Sequence, residues 1–151
     1  GFCVSSIENI DRLSMLANTS FSCVSPFSQI ASATALREGD VERDQRMQIF
    51  KNRVTSFAEA LQKIVGVDCL IPDGAFYVFP DVSNFFGSYY NNNKIKNSED
   101  LSMFLLTDSG VATVSGKAFG NDNCIRISYA ASENEITEAC KLIKNSLESL
   151  V

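Results

Sequence analysis

Between Val41 and Val65 the apolar residues Met47, Phe50, Val54, Phe57, Leu61 and Ile64 recur at alternating spacings of three and four. The intervening positions carry Arg43, Asp44, Lys51, Arg53, Glu59 and Lys63. Only an α-helix brings such positions onto one face, so this stretch is expected as one long amphipathic helix ended by Gly66. A coiled coil is the competing reading. It is disfavoured because the repeat spans fewer than four heptads and is followed by strand and turn signals.

Shorter elements flank that helix. Gly1-Phe2-Cys3-Val4-Ser5 reads as a short buried strand, and the absence of an initiator methionine or leading cap suggests a chain that begins mid-fold. Ser6 precedes a helix over about 7–17 with Ile7, Ile10, Leu13 and Ala17 on one side. Thr19 to Val24 is a Ser/Thr-rich link, and Ser25-Pro26 opens an Ala-rich helix to about 38. After Gly66 come two apolar runs, 68–71 and 75–79, joined by Pro72-Asp73-Gly74 as in a hairpin. Residues 81–97 are polar and Asn-rich, a surface loop. A helix over 99–109 capped by Ser98 and closed by Gly110 follows, then strands at 111–114 and 124–129. Ser132-x-x-Glu135 is a capping box for a last helix over 133–150, with Ile136, Ala139, Cys140, Ile143, Leu147 and Leu150 on its stripe. The fold class is α/β, with a small α+β domain in the second half.

Composition removes several functions. The chain has 151 residues, formal net charge -5, and 13 scattered Lys and Arg. That argues against a nucleic-acid or anionic-membrane partner, and no run is apolar for long enough to span a bilayer. There is no histidine, so Cys-His and Ser-His-Asp catalysis within this chain is excluded and the commonest zinc ligand is missing. Cys3, Cys23, Cys69, Cys124 and Cys140 are scattered without a C-x-x-C pair. They read as small core residues of a reducing compartment, with no metal site. The expected location is cytoplasmic, an organelle being left open.

One charge stands out. Arg126 interrupts the apolar run Cys124-Ile125-Arg126-Ile127-Ser128-Tyr129, which starts four residues past the glycine-bracketed loop Ser115-Gly116-Lys117-Ala118-Phe119-Gly120. Alternation sets Arg126 with Cys124 and Ser128, opposite Ile125, Ile127 and Tyr129. A guanidinium held beside close glycine backbone suits a carboxylate or phosphate. The alternative is the solvated face of an edge strand.

Asp73-Gly74-Ala75-Phe76-Tyr77-Val78-Phe79-Pro80, then Gly110 to Gly120, then Ile125-Arg126-Ile127-Ser128-Tyr129-Ala130, stand in an order that resembles the C-terminal part of class I pyridoxal-phosphate aminotransferases, the aspartate-aminotransferase-like fold. Ser25-Pro26-x-x-Gln29 before the Ala-rich helix extends the resemblance over essentially the whole chain. It implies that 1–38 is the tail of a large cofactor-binding domain, 39–65 an inter-domain helix and 66–151 a small C-terminal domain.

The resemblance also implies roles. Arg126 would bind the α-carboxylate of the substrate, with Phe119 and Gly120 beside it. Gly1 aligns with the final glycine of the family's lysine motif, so the Schiff-base lysine and the other residues that hold pyridoxal 5'-phosphate would lie upstream. No catalytic or cofactor-binding residue is then expected in this chain, Lys117 occupying a variable position, and the piece alone would be inactive. The full protein would be a homodimer acting on an amino acid and a 2-oxo acid, the segment from Ser22 to Gln29 approaching the partner's site. Family members usually carry Pro-Gly where this chain has Ser115-Gly116. A β-lyase or an aminocyclopropane-carboxylate-synthase-like enzyme would share every motif, and a non-catalytic acid-sensing domain or a module dimerising through 41–65 are readings from other classes.

Overall fold

A computed structural model describes residues 2–150, and the chain divides into two compact units, Gly1–Arg46 and Met47–Val151. The first is helical. Helix α1 runs Ile7–Ser20 and α2 runs Pro26–Glu38, with proline in the first turn as expected. The Ser/Thr link is shorter than the sequence suggested, because α1 extends three residues. Thr19 and Ser20 turn their hydroxyls back to the Met15 and Leu16 carbonyls and so stay helical. Two expectations fail here. Residues 2–5 form no strand and are exposed, Gly1 lying outside the described residues, and Cys3 and Cys23 are exposed rather than core. Neither α1 nor α2 buries a side chain.

Helix α3, Asp40–Gln62, crosses the division between the units. Its periodic face behaves as predicted beyond Arg46: Val54, Phe57, Ala58 and Leu61 are buried, Phe50 partly, while Met47 stays exposed. The helix stops short of the expected end near 65. Ile64 and Val67 take hydrogen bonds typical of tight turns to Leu61 and Ile64, and Gln62 reaches forward to the Cys69 carbonyl.

The second unit is built on a three-stranded antiparallel sheet in the order β1-β5-β4, with β1 Tyr77–Val78, β4 Val114–Ser115 and β5 Ile125–Ser128. Tyr77 pairs with Ser128, and Val114 with Arg126. Between β1 and β4 lie a short hairpin, β2 Tyr89–Tyr90 and β3 Asn93–Lys94, and helix α4, Ser98–Ser109. Asn91 and Asn92 turn the hairpin with positive φ, so the Asn-rich segment is more ordered than a plain loop. Helix α5, Glu133–Glu148, closes the unit, and its capping box is present in full.

One core joins these pieces. Phe57 and Leu61 of α3, Val78 of β1, Leu101 and Leu105 of α4, Ile125 of β5 and Ile143 of α5 are all buried together. Each fully buried aliphatic side chain of this kind contributes about 1.5–3 kcal/mol. Three local expectations are corrected. The runs 68–71 and 75–79 do not pair as a hairpin: only Asp68 bridges Asp81, while 77–78 pairs with β5 because Val78 needs the core face. The cap of α4 is Asn97, whose side chain accepts from the Glu99 and Asp100 amides, so Ser98 is left as a buried first helical residue. The fourth strand begins at Val114, not 111.

Candidate carboxylate site

Ile125 and Ile127 anchor β5 in the core, which by alternation forces Arg126 to the other face, where it is half-buried. The edge-strand alternative does not hold: β5 is the middle strand, hydrogen-bonded on both sides. Both neighbours of Arg126 are therefore fixed by sheet geometry.

The glycine loop is stitched onto this strand. Gly116 N–H donates to the Cys124 carbonyl at 2.8 Å and Asn121 N–H to the Gly116 carbonyl at 3.1 Å. A Cβ at Gly116 would overlap the Asn121 and Cys124 carbonyl oxygens, so glycine is required by close approach. Residues Gly116–Phe119 form one tight helical turn, whose start is capped by Ser115 Oγ accepting from Lys117 N–H at 3.3 Å. Gly120 closes it in the left-handed region at φ 85°, its N–H bound to the Lys117 carbonyl. The Gly120 amide thus closes the turn rather than facing outward as a free donor.

This turn delivers the Phe119 ring to Arg126, whose Cζ lies 4.2 Å from the ring centroid. From β1, the Tyr77 ring lies at the same 4.2 Å. Phe79 meets Phe119 edge-to-face at 6.3 Å, and Phe76 packs on Tyr77 at 4.4 Å. Guanidinium over aromatic rings gains about 0.5–2 kcal/mol per contact and occupies the faces of the cation. The N–H donors lie in its plane and stay available. Among the described residues no carboxylate forms an ion pair with Arg126. The arrangement is a fixed planar fork without an acidic partner, suited to a bidentate anion.

Arg126 and Phe119 thus meet, with Gly120 at the end of the same turn. Tyr77 was missed as a partner of Arg126, since only the strand register brings the two together. All seven lysines are exposed, and Lys141 and Lys144 sit in surface pairs with Glu138 and Glu148. Among the described residues, no cluster of His, Cys, Asp and Glu could bind a metal, and no helix is long and apolar enough to cross a membrane.

Comparison with known proteins agrees with this architecture. The family model described as aminotransferase class I and II matches residues 1–143. An aspartate aminotransferase of Rhizobium meliloti (strain 1021) is 36% identical over 144 residues, 95% of this chain and 35% of the relative. A probable aspartate/prephenate aminotransferase of Aquifex aeolicus is 36% identical over 141 residues, 91% of this chain and 34% of that protein. The crystal structure of the aspartate aminotransferase from Rhizobium meliloti superposes with a TM-score of 0.89 at 35% identity, covering 95% of this chain and 36% of that one. The chain thus spans about a third of the length of these relatives. With the match running through both units and including the strand of Arg126, the chain belongs to the class I and II aminotransferase family.

Proposed function

We propose that this chain is the carboxylate-binding part of a pyridoxal-phosphate-dependent aminotransferase, which moves an amino group between an amino acid and a 2-oxo acid. Aspartate and prephenate, named for the relatives, are the first substrates to test. The observation that carries the proposal is Arg126: a half-buried guanidinium on a central strand, held between Tyr77 and Phe119, with no acidic partner among the described residues. Every α-amino acid has a carboxylate of matching geometry. Fixing that group orients the rest of the substrate while leaving its side chain free to vary, and orientation of this kind lowers the barrier of the chemical step. Phe119 walls the site, and Gly120 closes its turn in the left-handed region.

Residues 1–38 would belong to the larger cofactor-binding domain, 39–65 to the linking helix and 66–151 to the small domain. The lysine and phosphate contacts for the cofactor would come from residues outside this chain, and the chain alone would be inactive. The working protein would be a homodimer.

In the full-length protein, Arg126→Ala should lower kcat/KM about a hundredfold or more, the loss expected of a bidentate charge-assisted contact. The fold and the cofactor's absorbance should persist. Arg126→Lys should recover little, because a point charge cannot replace the fork. Near-unchanged kcat/KM in Arg126→Ala for every amino acid tested would exclude the anchor role.

A further inference from the structure

The turn that carries Phe119 is tied down by a second set of bonds away from the sheet. Ser98, the first residue of α4, is fully buried. Its Oγ donates to Asp122 Oδ1 at 2.6 Å, and its backbone N–H reaches the same oxygen at 3.3 Å. Ser98 Oγ also lies 2.7 Å from Ser115 Oγ. An ionised carboxylate only accepts, so the single Ser98 proton goes to Asp122. Ser115 must then be the donor to Ser98, and the free lone pairs on Ser115 receive Lys117 N–H. The result is a one-way chain from Lys117 N–H through Ser115 and Ser98 to Asp122.

We propose that Ser115 is a positioning residue for substrate binding: through Ser98 and Asp122 its hydroxyl clamps both ends of the 115–122 loop, which holds Phe119 against Arg126. The inference rests on the reading of Arg126 as the carboxylate anchor. The geometry carries it in three steps. Ser115 and Asp122 bracket the loop, Phe119 stands between them, and Asp122 is four residues before Arg126. The clamp joins three elements, the start of α4, the end of β4 and the turn into β5, so loosening one end frees the ring that lines the guanidinium. Deleting Ser115 leaves Ser98 donating to Asp122 but cuts the tie between buried Ser98 and the turn, and takes the acceptor from Lys117 N–H.

The test uses the full-length holoenzyme. Ser115→Ala should lower kcat/KM about tenfold for each amino acid tested, mostly through KM, the size of one lost net hydrogen bond. Ser115→Thr, which keeps the hydroxyl, should recover most of it. Ser98→Ala should reproduce the KM effect from the buried end. A role exerted through Arg126 also predicts coupling: in an Arg126→Ala background, Ser115→Ala should add nothing further. The inference is overturned if Ser115→Ala leaves KM unchanged, if Ser115→Thr fails to rescue, or if the Ser115 effect simply adds to that of Arg126→Ala. Should Arg126→Ala itself be silent, the anchor reading falls and takes this inference with it. A silent Ser115→Ala beside a damaging Arg126→Ala removes the inference alone.

Discussion

The unit of α1 and α2 and the unit around β5 are written in similar residues, yet they end in opposite states. Both have serine or asparagine ahead of their helices and apolar residues spaced along them. In the second unit those features close: Asn97 and Ser132 make their side-chain caps, and Phe57 is 1% exposed. In the first they do not: Ser6 and Ser25 make no side-chain cap bond, and Phe27 is 84% exposed. The same local signal has a different energetic weight according to whether a core stands behind it. Helices of 13 or 14 residues are marginal on propensity alone, and burial of one face usually decides their stability.

The largest test of that contrast is a pair of truncations in this chain. Phe57→Ala should destabilise the second unit by about 3–5 kcal/mol in denaturant unfolding, whereas Phe27→Ala should stay within about 0.5 kcal/mol. Equal costs would break the comparison.

Glycines sharpen it next. Gly116→Ala forces a methyl between two carbonyl oxygens held by the sheet and should cost about 1–3 kcal/mol, with loss of the Phe119 ring-current shift on Arg126 by NMR. At Gly39 the conflict is with the Ala35 carbonyl alone, at the end of an unpacked helix that can give way. Gly39→Ala should therefore move the thermal midpoint less than Gly116→Ala does.

Capping gives a smaller contrast. Ser132→Ala should cost about 1 kcal/mol, while Ser6→Ala and Ser25→Ala should be nearly silent because no side-chain cap bond is lost. Helicity by circular dichroism through a urea titration would separate the three.

The least effect concerns acid. Asp108 accepts from the Ser146 and Tyr90 hydroxyls at 2.7 and 2.8 Å, and these bonds hold its carboxyl below the ordinary 3.8. A group whose pKa is depressed by folding adds stability above its unfolded value, and that stability fades as pH falls through the folded one. The second unit should lose a small increment below about pH 4, and Asp108→Asn should flatten that limb of the unfolding midpoint against pH. A limb unchanged by the substitution would show that the two hydroxyls do not matter to it.

Much of the second unit was legible because its signals are local. The three-four spacing of α3, the capping box at Ser132 and the αL glycine at Gly110 each constrain their own turn of chain. Pairing was not. Nothing local to Asp68–Phe79 says that the second run leaves the first and joins β5, since Val78 finds its burial fifty residues away along the chain. The cysteines failed for the same reason in reverse: Cys69 and Cys124 are buried and Cys3 and Cys23 are not, though the sequence read all of them alike as small core residues.

From the sequence alone came the helices, the middle-of-run position of Arg126, the missing histidine and the family's ordered motifs, all properties of neighbours along the chain. The tertiary structure alone decided that β5 is central, that Tyr77 and Phe119 flank the guanidinium, and that Ser98, Ser115 and Asp122 form one hydrogen-bonded chain. Those side-chain contacts join residues 7 to 49 positions apart. Strand register and core burial set such distances, and neither is written in any single segment.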